Sequence, residues 1–413
     1  MSKDNIITGL DIGSTTIRIV VAQINPDGRI HIIGGAEGPS EGVNKGVVTS
    51  IEDAVSSISA CLERAERMTG LAIEHAYVGI SGCDITSQES RGVIAVAKAD
   101  GEIKEDEVER ALEAAQTVAT PPNYEIIHVL PHLFNVDTQK NIKDPVGMTG
   151  VRLEAETQII EGPSSQIKNL TKCIYRTGVD IDDLVFSILA TAEAVLNRRQ
   201  KELGVAVVNI GGSTTSVAVF EEGDTLTTHV LPIGANHITA DLAIGLRTSI
   251  EVAEQIKLEY GTAITPNLKA REEINLAEIS GGEDGVVTKK HLAEIIGARV
   301  EEIFTMADEK LKDIDRSGKL PSGVILTGGG AKLDGIAEVA KKVFRLPASL
   351  GYPTGVVSAI DKMNDLSFST AIGLVLWGKQ MRETIGGRGS FSPFSFVSKL
   401  AGSVARWFKG LRV

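Results

Sequence analysis

Little in this chain could hold a metal or staple the fold covalently. Three cysteines, Cys61, Cys83 and Cys173, are spread over 413 residues. They make neither a metal-ligand spacing nor a disulfide framework, which fits a reducing cytoplasm. Of seven histidines, only His128 and His132 stand four apart, and Pro131 with the β-rich surroundings argues against a shared helix. No apolar run approaches the ~20 residues of a membrane-spanning helix, and Met1-Ser2-Lys3-Asp4-Asn5 lacks the apolar stretch of a signal peptide. A basic excess is also missing. Lys and Arg number 42 against 54 Asp and Glu, a formal charge of −12, so nucleic acid is excluded as a partner. Aromatics are scarce, at 4%, yet Phe391, Phe394, Phe396, Trp407 and Phe408 crowd the C-terminus.

What is present reads as an ordinary soluble protein long enough for two or three folding units. Residues 6–10 and 17–22 read as strands around a small-residue turn, with a third strand at 30–33. Residues 51–69 carry Ile51, Val55, Ile58, Leu62 and Ala65 at helical spacing, and a strand follows at 76–80. This order predicts an α/β sheet. Residues 84–163 read as a small α+β insert, with strands near 92–97, 125–130 and 151–160, a helix over 105–118, and a polar loop at 137–150. A helix, a strand over 184–189 and another helix fill 164–197.

At 205 the opening pattern returns. Val205–Ile210 and Val217–Phe220 are strands around Gly211-Gly212-Ser213-Thr214-Thr215, the same device as Gly13-Ser14-Thr15-Thr16 some 200 residues earlier. This duplication implies two related domains facing each other. A tight turn of glycines and hydroxyl residues gathers backbone N–H groups at one point, a nest for anionic oxygens. One such turn is commonly only a turn. Two copies, with Gly328-Gly329-Gly330 after a strand at 323–327, describe a polyphosphate held between two domains. Residues 236–316 read as mostly helical, and the last core helix as about 366–381.

These motifs carry a resemblance. Gly9-Leu10-Asp11-Ile12-Gly13-Ser14-Thr15-Thr16, Asn209-Ile210-Gly211-Gly212-Ser213-Thr214-Thr215 and Leu326-Thr327-Gly328-Gly329-Gly330-Ala331 resemble the two phosphate motifs and the adenosine motif of the actin, sugar-kinase and chaperone ATPase superfamily. Within it, Lys45-Gly46-Val47-Val48, Glu63-Arg64-Ala65-Glu66-Arg67, Val78-Gly79-Ile80-Ser81-Gly82 and Ala253-Glu254-Gln255-Ile256-Lys257 resemble the bacterial cell-division FtsA family along essentially the whole chain.

The resemblance implies an α/β fold of two actin-like (ribonuclease H-like) domains around a nucleotide cleft. It assigns 1–83 and 164–197 to the first domain, 84–163 to an inserted subdomain, and 198–382 to the second domain with a helical part at 244–316. It also implies ATP and Mg²⁺ in the cleft. Phosphates would meet Asp11, Gly13, Ser14, Thr15, Thr16 and Gly211, Gly212, Ser213, Thr214, Thr215. Adenosine would meet Glu254, Lys257, Gly328, Gly329, Gly330 and Lys332. The metal's waters would meet Asp11 and Asn209. Implied partners are the C-terminal peptide of FtsZ (on Lys290 and Arg299), other copies of the chain, further division proteins and anionic lipid. The implied location is the cytoplasmic side of the membrane at the division site, as a peripheral protein. The chain departs from the family by Thr16 in place of Lys, and by Asn209 and Ser216 in place of Asp. An amide cannot act as a base, so binding with slow or negligible turnover is expected. Pilus-assembly and small-molecule kinase or phosphatase relatives are the alternatives.

Residues 383–394 have a flexible-linker composition. On a helix over 395–413, Phe396, Val397, Leu400, Val404, Trp407, Phe408 and Leu411 fall within an arc of about 120°. Lys399, Arg406, Lys409 and Arg412 occupy the rest. Aromatics on one side and cations on the other describe a helix lying in a lipid interface, and the family resemblance implies the same targeting role. The acidic run Glu102, Glu105, Asp106, Glu107 and Glu109 reads as a solvated helix start, and Cys83 as a buried thiol.

Overall fold

The computed structural model describes residues 5–97, 101–117, 120–265, 273–279 and 285–386. The expected membrane helix, with Phe396, Lys399, Leu400, Val404, Arg406, Trp407, Phe408, Lys409, Leu411 and Arg412, lies outside them. Among the described residues no helix is long and apolar enough to cross a membrane.

Two sheets repeat one plan. In the first, Ile6–Ile12 and Thr16–Ile24 form an antiparallel hairpin in register from Ile6↔Gln23 to Ile12↔Ile17, with Ile30–Pro39 beyond it and His75–Ile80 and Asp180–Phe186 added in parallel. In the second, Val205–Ile210 and Thr215–Glu221 form the hairpin. Asp224–Leu231 lies beyond it, and Val324–Thr327 and Ala348–Leu350 are parallel. The hairpin strands are nearly continuous Val and Ile because both sheet faces are covered. The Ile51–Thr69 helix starts on Ser50, whose side chain accepts from the Asp53 N–H, and stops at Gly70 with φ 69°, a left-handed turn that suits glycine. It buries Ala54, Ile58, Cys61, Leu62 and Ala65.

The insert is a four-stranded sheet ordered Thr86–Ala95, Arg152–Pro163, Tyr124–Val136, Gln139–Ile142, backed by the Glu105–Gln116 helix. A side chain at Gly92 would lie 2.0 Å from the Ala111 carbonyl, so helix and sheet meet backbone to backbone. The expected loop at 137–150 contains a strand of its own, Gln139–Ile142, because Asp137 takes φ 53° and turns a hairpin. Glu107 is buried rather than solvated. Its carboxylate accepts from the backbone N–H groups of Ala97 (3.1 Å) and Lys104 (3.0 Å). Cys83 is half-buried.

The chain then crosses back, so 198–382 is not one unit. Val356–Ser358 pairs in parallel with the strand Ile30–Pro39 of the first sheet. The helix Ser369–Gly386 packs on Ser187–Val195 and on the first hairpin, where a side chain at Gly9 would lie 2.3 Å from the Ala371 carbonyl. That helix extends to Gly386, into the expected linker. The helical part of the second domain, chiefly Ala235–Leu246, Ile250–Tyr260 and Lys289–Asp313, also holds a two-stranded sheet of Glu273–Asn275 and Val286–Thr288.

Candidate functional site

Between the two sheets lies a cleft of about 1110 Å³, large enough for a nucleotide-sized ligand. Both duplicated hairpins project into it. In the first, the Gly13 N–H donates to the Thr16 carbonyl at 3.2 Å, and a side chain at Gly13 would lie 2.7 Å from that oxygen. The second repeats the bond, from the Gly211 N–H to the Thr214 carbonyl at 2.9 Å. The tips meet. A side chain at Gly212 would lie 1.9 Å from Thr15 Oγ1, and Asn236 Nδ2 donates to the same oxygen at 3.4 Å. Of the ten hairpin positions expected to meet phosphate, all but Thr215 line the cleft. Thr215 points inward, its hydroxyl donating to the Ile233 carbonyl at 2.8 Å.

The floor holds two further groups. Asp11 lies opposite Arg18 across the hairpin. Enclosure pushes its carboxyl up to about 6, and the Arg18 charge opposes that rise. A carboxyl disfavoured as a bare anion, beside two N–H-rich turns, suits a site that takes a cation together with a polyanion. Asn209 is held by its amide, Nδ2 donating to the hydroxyls of Thr191 and Thr370 at 3.2 Å each.

At the other end, Glu254 lines the cleft. Its carboxylate accepts from Thr239 (2.5 Å) and Lys257 (2.6 Å). Lys257 is buried behind it, so it positions Glu254 instead of lining the cavity. Gly329, Gly330 and Lys332 line the cavity and Gly328 does not. With φ 88°, Gly328 makes the sharp turn that brings its neighbours there. Lys332 pairs with Asp365 at 2.7 Å. Burial raises the Asp365 carboxyl, but hydrogen bonds from Lys332 and Ser367 outweigh it and hold the group below its usual range.

Sequence reasoning missed Arg18, Glu37, Arg64, Ser187, Asn236 and Lys362, all on the cleft wall. They come from separate elements, and no local pattern joins them. Lys290 and Arg299 lie on the Lys289–Asp313 helix, away from the cleft. Arg299 grips Asp241 through two bonds of 2.5 and 2.8 Å, and Lys290 stands 3.8 Å from Glu294. His128 and His132 share a strand, His128 facing into the core and His132 meeting Asp224.

Comparison with known proteins follows the same outline. A family described as "Cell division protein FtsA" matches residues 206–373, and "SHS2 domain inserted in FTSA" matches 82–161. The cell division protein FtsA of Pseudomonas aeruginosa is 35% identical over 415 residues, covering 99% of each chain. Among solved structures, the PilM-PilN type IV pilus biogenesis complex superposes with a TM-score of 0.65 at 16% identity, over 90% of this chain and 98% of the other. MreB5 of Spiroplasma citri bound to ADP gives 0.56 at 14% identity, over 93% and 99%. The fold is therefore actin-like α/β, with an SHS2 insert.

Proposed function

The chain belongs to the cell-division protein FtsA family, and on that premise we propose that it holds ATP with Mg²⁺ between its two domains, self-assembles, and tethers FtsZ filaments to anionic lipid at the cytoplasmic face of the membrane. The observation that carries the nucleotide reading is the meeting of Thr15 and Gly212 in one cleft, two glycine-hydroxyl turns from opposite domains touching at their tips. Backbone N–H groups of both turns would cradle the phosphates. Asp11 and Asn209, which both line the cleft, would face the metal's waters, and Glu254 would face the sugar and base. Magnesium, when bound, would offset phosphate charge. Asn209 has its amide N–H group committed to two threonine hydroxyls and carries no base, which supports binding with weak hydrolysis.

The tail supports the tether. On a helix over 395–413, seven apolar residues and four cations would take opposite sides, which suits a lipid interface, and each cation would contribute about 1 kcal/mol near an anionic leaflet. For the FtsZ peptide, Lys290 is the more available of the two named cations, because Arg299 is engaged by Asp241 and Glu302. The full-length relatives favour this reading over the pilus and small-molecule enzyme alternatives. The test is sedimentation with anionic vesicles, with and without residues 395–413 and with and without ATP. Loss of lipid binding on deletion, with ATP affinity retained, is expected. Undiminished sedimentation of the truncated chain would sink the tether.

A further inference from the structure

The insert touches both domains, and the two contacts differ in kind. Its root is fused with the first domain. Ile160 belongs to the first domain's core, which also reaches Val207, Phe220 and Val230 of the second, and Ile127 and Leu130 pack against it. His128, on the same strand, is buried against Trp377 with ring centroids 5.3 Å apart. Its Nε2 accepts from the Phe186 N–H at 2.9 Å, next to Ser187 on the cleft wall. Burial holds His128 neutral, at about 3. The root is therefore packed into the first domain.

The far contact crosses to the second domain and is polar. Asp224 begins the strand Asp224–Leu231, the outer strand of the second sheet. Its carboxylate is met by His132 Nδ1 at 2.8 Å and by the Lys143 ammonium, which also donates to the Glu222 carbonyl at 3.1 Å. Both cationic partners come from the insert. A fourth bond runs from Gln158 Nε2 to the Leu226 carbonyl at 3.0 Å, while Gln158 Oε1 is buried without a partner. Asp224 is mostly covered, whereas His132 and Lys143 keep 31% and 47% of their side-chain exposure. Ion pairs this exposed can part and rehydrate at small cost.

We propose that this seam is a clasp: the insert bridges the outside of the nucleotide cleft, and Asp224 with His132 and Lys143 holds the two domains in the closed arrangement. The proposal rests on the nucleotide reading of the cleft. Nucleotide pulls the same two domains together from inside, through the hairpin tips. Two ligatures that favour one closed state must reinforce each other, and by the same factor in both directions. ATP should therefore tighten the clasp as much as the clasp tightens ATP.

His132 is a built-in reporter. The groups that face it are Asp224, Lys143 and Glu156. Its close contact with the Asp224 carboxylate raises it above the usual imidazole value, against burial and the Lys143 charge. An open clasp removes the main cause of that rise.

The test uses the full chain with ATP and Mg²⁺. Asp224→Asn should weaken ATP binding about three- to fivefold by calorimetry, and Asp224→Glu should retain most of it. By NMR titration, His132 of the unsubstituted chain should shift upward on adding ATP. In Asp224→Asn it should titrate lower and not respond. A merely structural Asp224 would lower the melting temperature without making His132 sensitive to nucleotide. If the unsubstituted chain binds no ATP, the cleft reading falls and the clasp with it. If it binds ATP, and Asp224→Asn binds equally well with His132 indifferent to nucleotide, the clasp alone is overturned.

Discussion

Individual residues show where the molecule carries unfavourable charge. Asp183 is buried, and its carboxylate accepts from Trp377 Nε1 at 2.9 Å. Burial pushes it up to about 6 despite that bond. A carboxyl whose folded value lies above its unfolded one binds more protons when folded. Stability from this group is thus full at low pH and is lost as pH rises through about 6. Asparagine can accept from the indole at the same position without charge. Asp183→Asn should raise the melting temperature at pH 7.5 by about 2–4 °C, and the gain should shrink as pH falls toward 4. Scanning calorimetry across that range checks it, and a gain independent of pH would show that ionisation is not the cause. Asp11 carries the same sign and opens onto the cleft. Its raised value fits a carboxylate whose charge is to be matched by a cation, and Asp183, away from the cleft, has no such use.

Two helices joined across the chain set the centre of the molecule. Ser187–Val195 and Ser369–Gly386 cross so closely that a side chain at Gly373 would lie 1.8 Å from the Ala190 carbonyl. Each helix supplies one of the hydroxyls, Thr191 and Thr370, that fix Asn209. Gly373→Ala must force them apart, a strain of about 1–3 kcal/mol. We expect a lower melting temperature and, because Asn209 loses its support, weaker ATP binding. Calorimetric titration separates the two, and ATP affinity unchanged in a destabilised protein would refute the link.

Elements of this kind mark what the sequence could reveal. The hairpins were legible because a strand, a glycine-hydroxyl turn and a strand recur in nearly the same letters, and local backbone needs dictate those letters. The Ile51–Thr69 helix was legible from its spacing and caps. The return of the chain to the first domain was not. Val356–Ser358 is three residues long and owes its place to the waiting edge of Ile30–Pro39. The strand expected over 184–189 actually ends at Phe186, because Ser187 starts a helix whose apolar run is buried all round; periodicity cannot separate a buried helix from a buried strand. Three of the cleft's cations were invisible for a related reason. Arg18, Arg64 and Lys362 converge only after a strand of the first sheet, the Ile51–Thr69 helix and the short Asp361–Asn364 helix have folded together.

At the scale of the whole molecule, the proposed lipid anchor and the proposed self-assembly explain each other. A single interfacial helix binds lipid reversibly, and linking copies turns later binding events into intramolecular ones. A chain that polymerises should therefore ignore membrane when dilute and hold it firmly when assembled. Vesicle binding by the full chain should rise sigmoidally with protein concentration. Residues 387–413 fused to a monomeric carrier should give a weak, hyperbolic curve, with half-binding at a concentration about a hundredfold higher. Co-sedimentation with anionic vesicles measures both. Adding ATP should shift the full-chain curve to lower protein concentration if the closed cleft is the assembling form, and leave the fusion's curve where it was. A fusion that binds as tightly as the full chain would mean that the tail alone anchors the protein, and assembly would then have no part in holding it to the membrane.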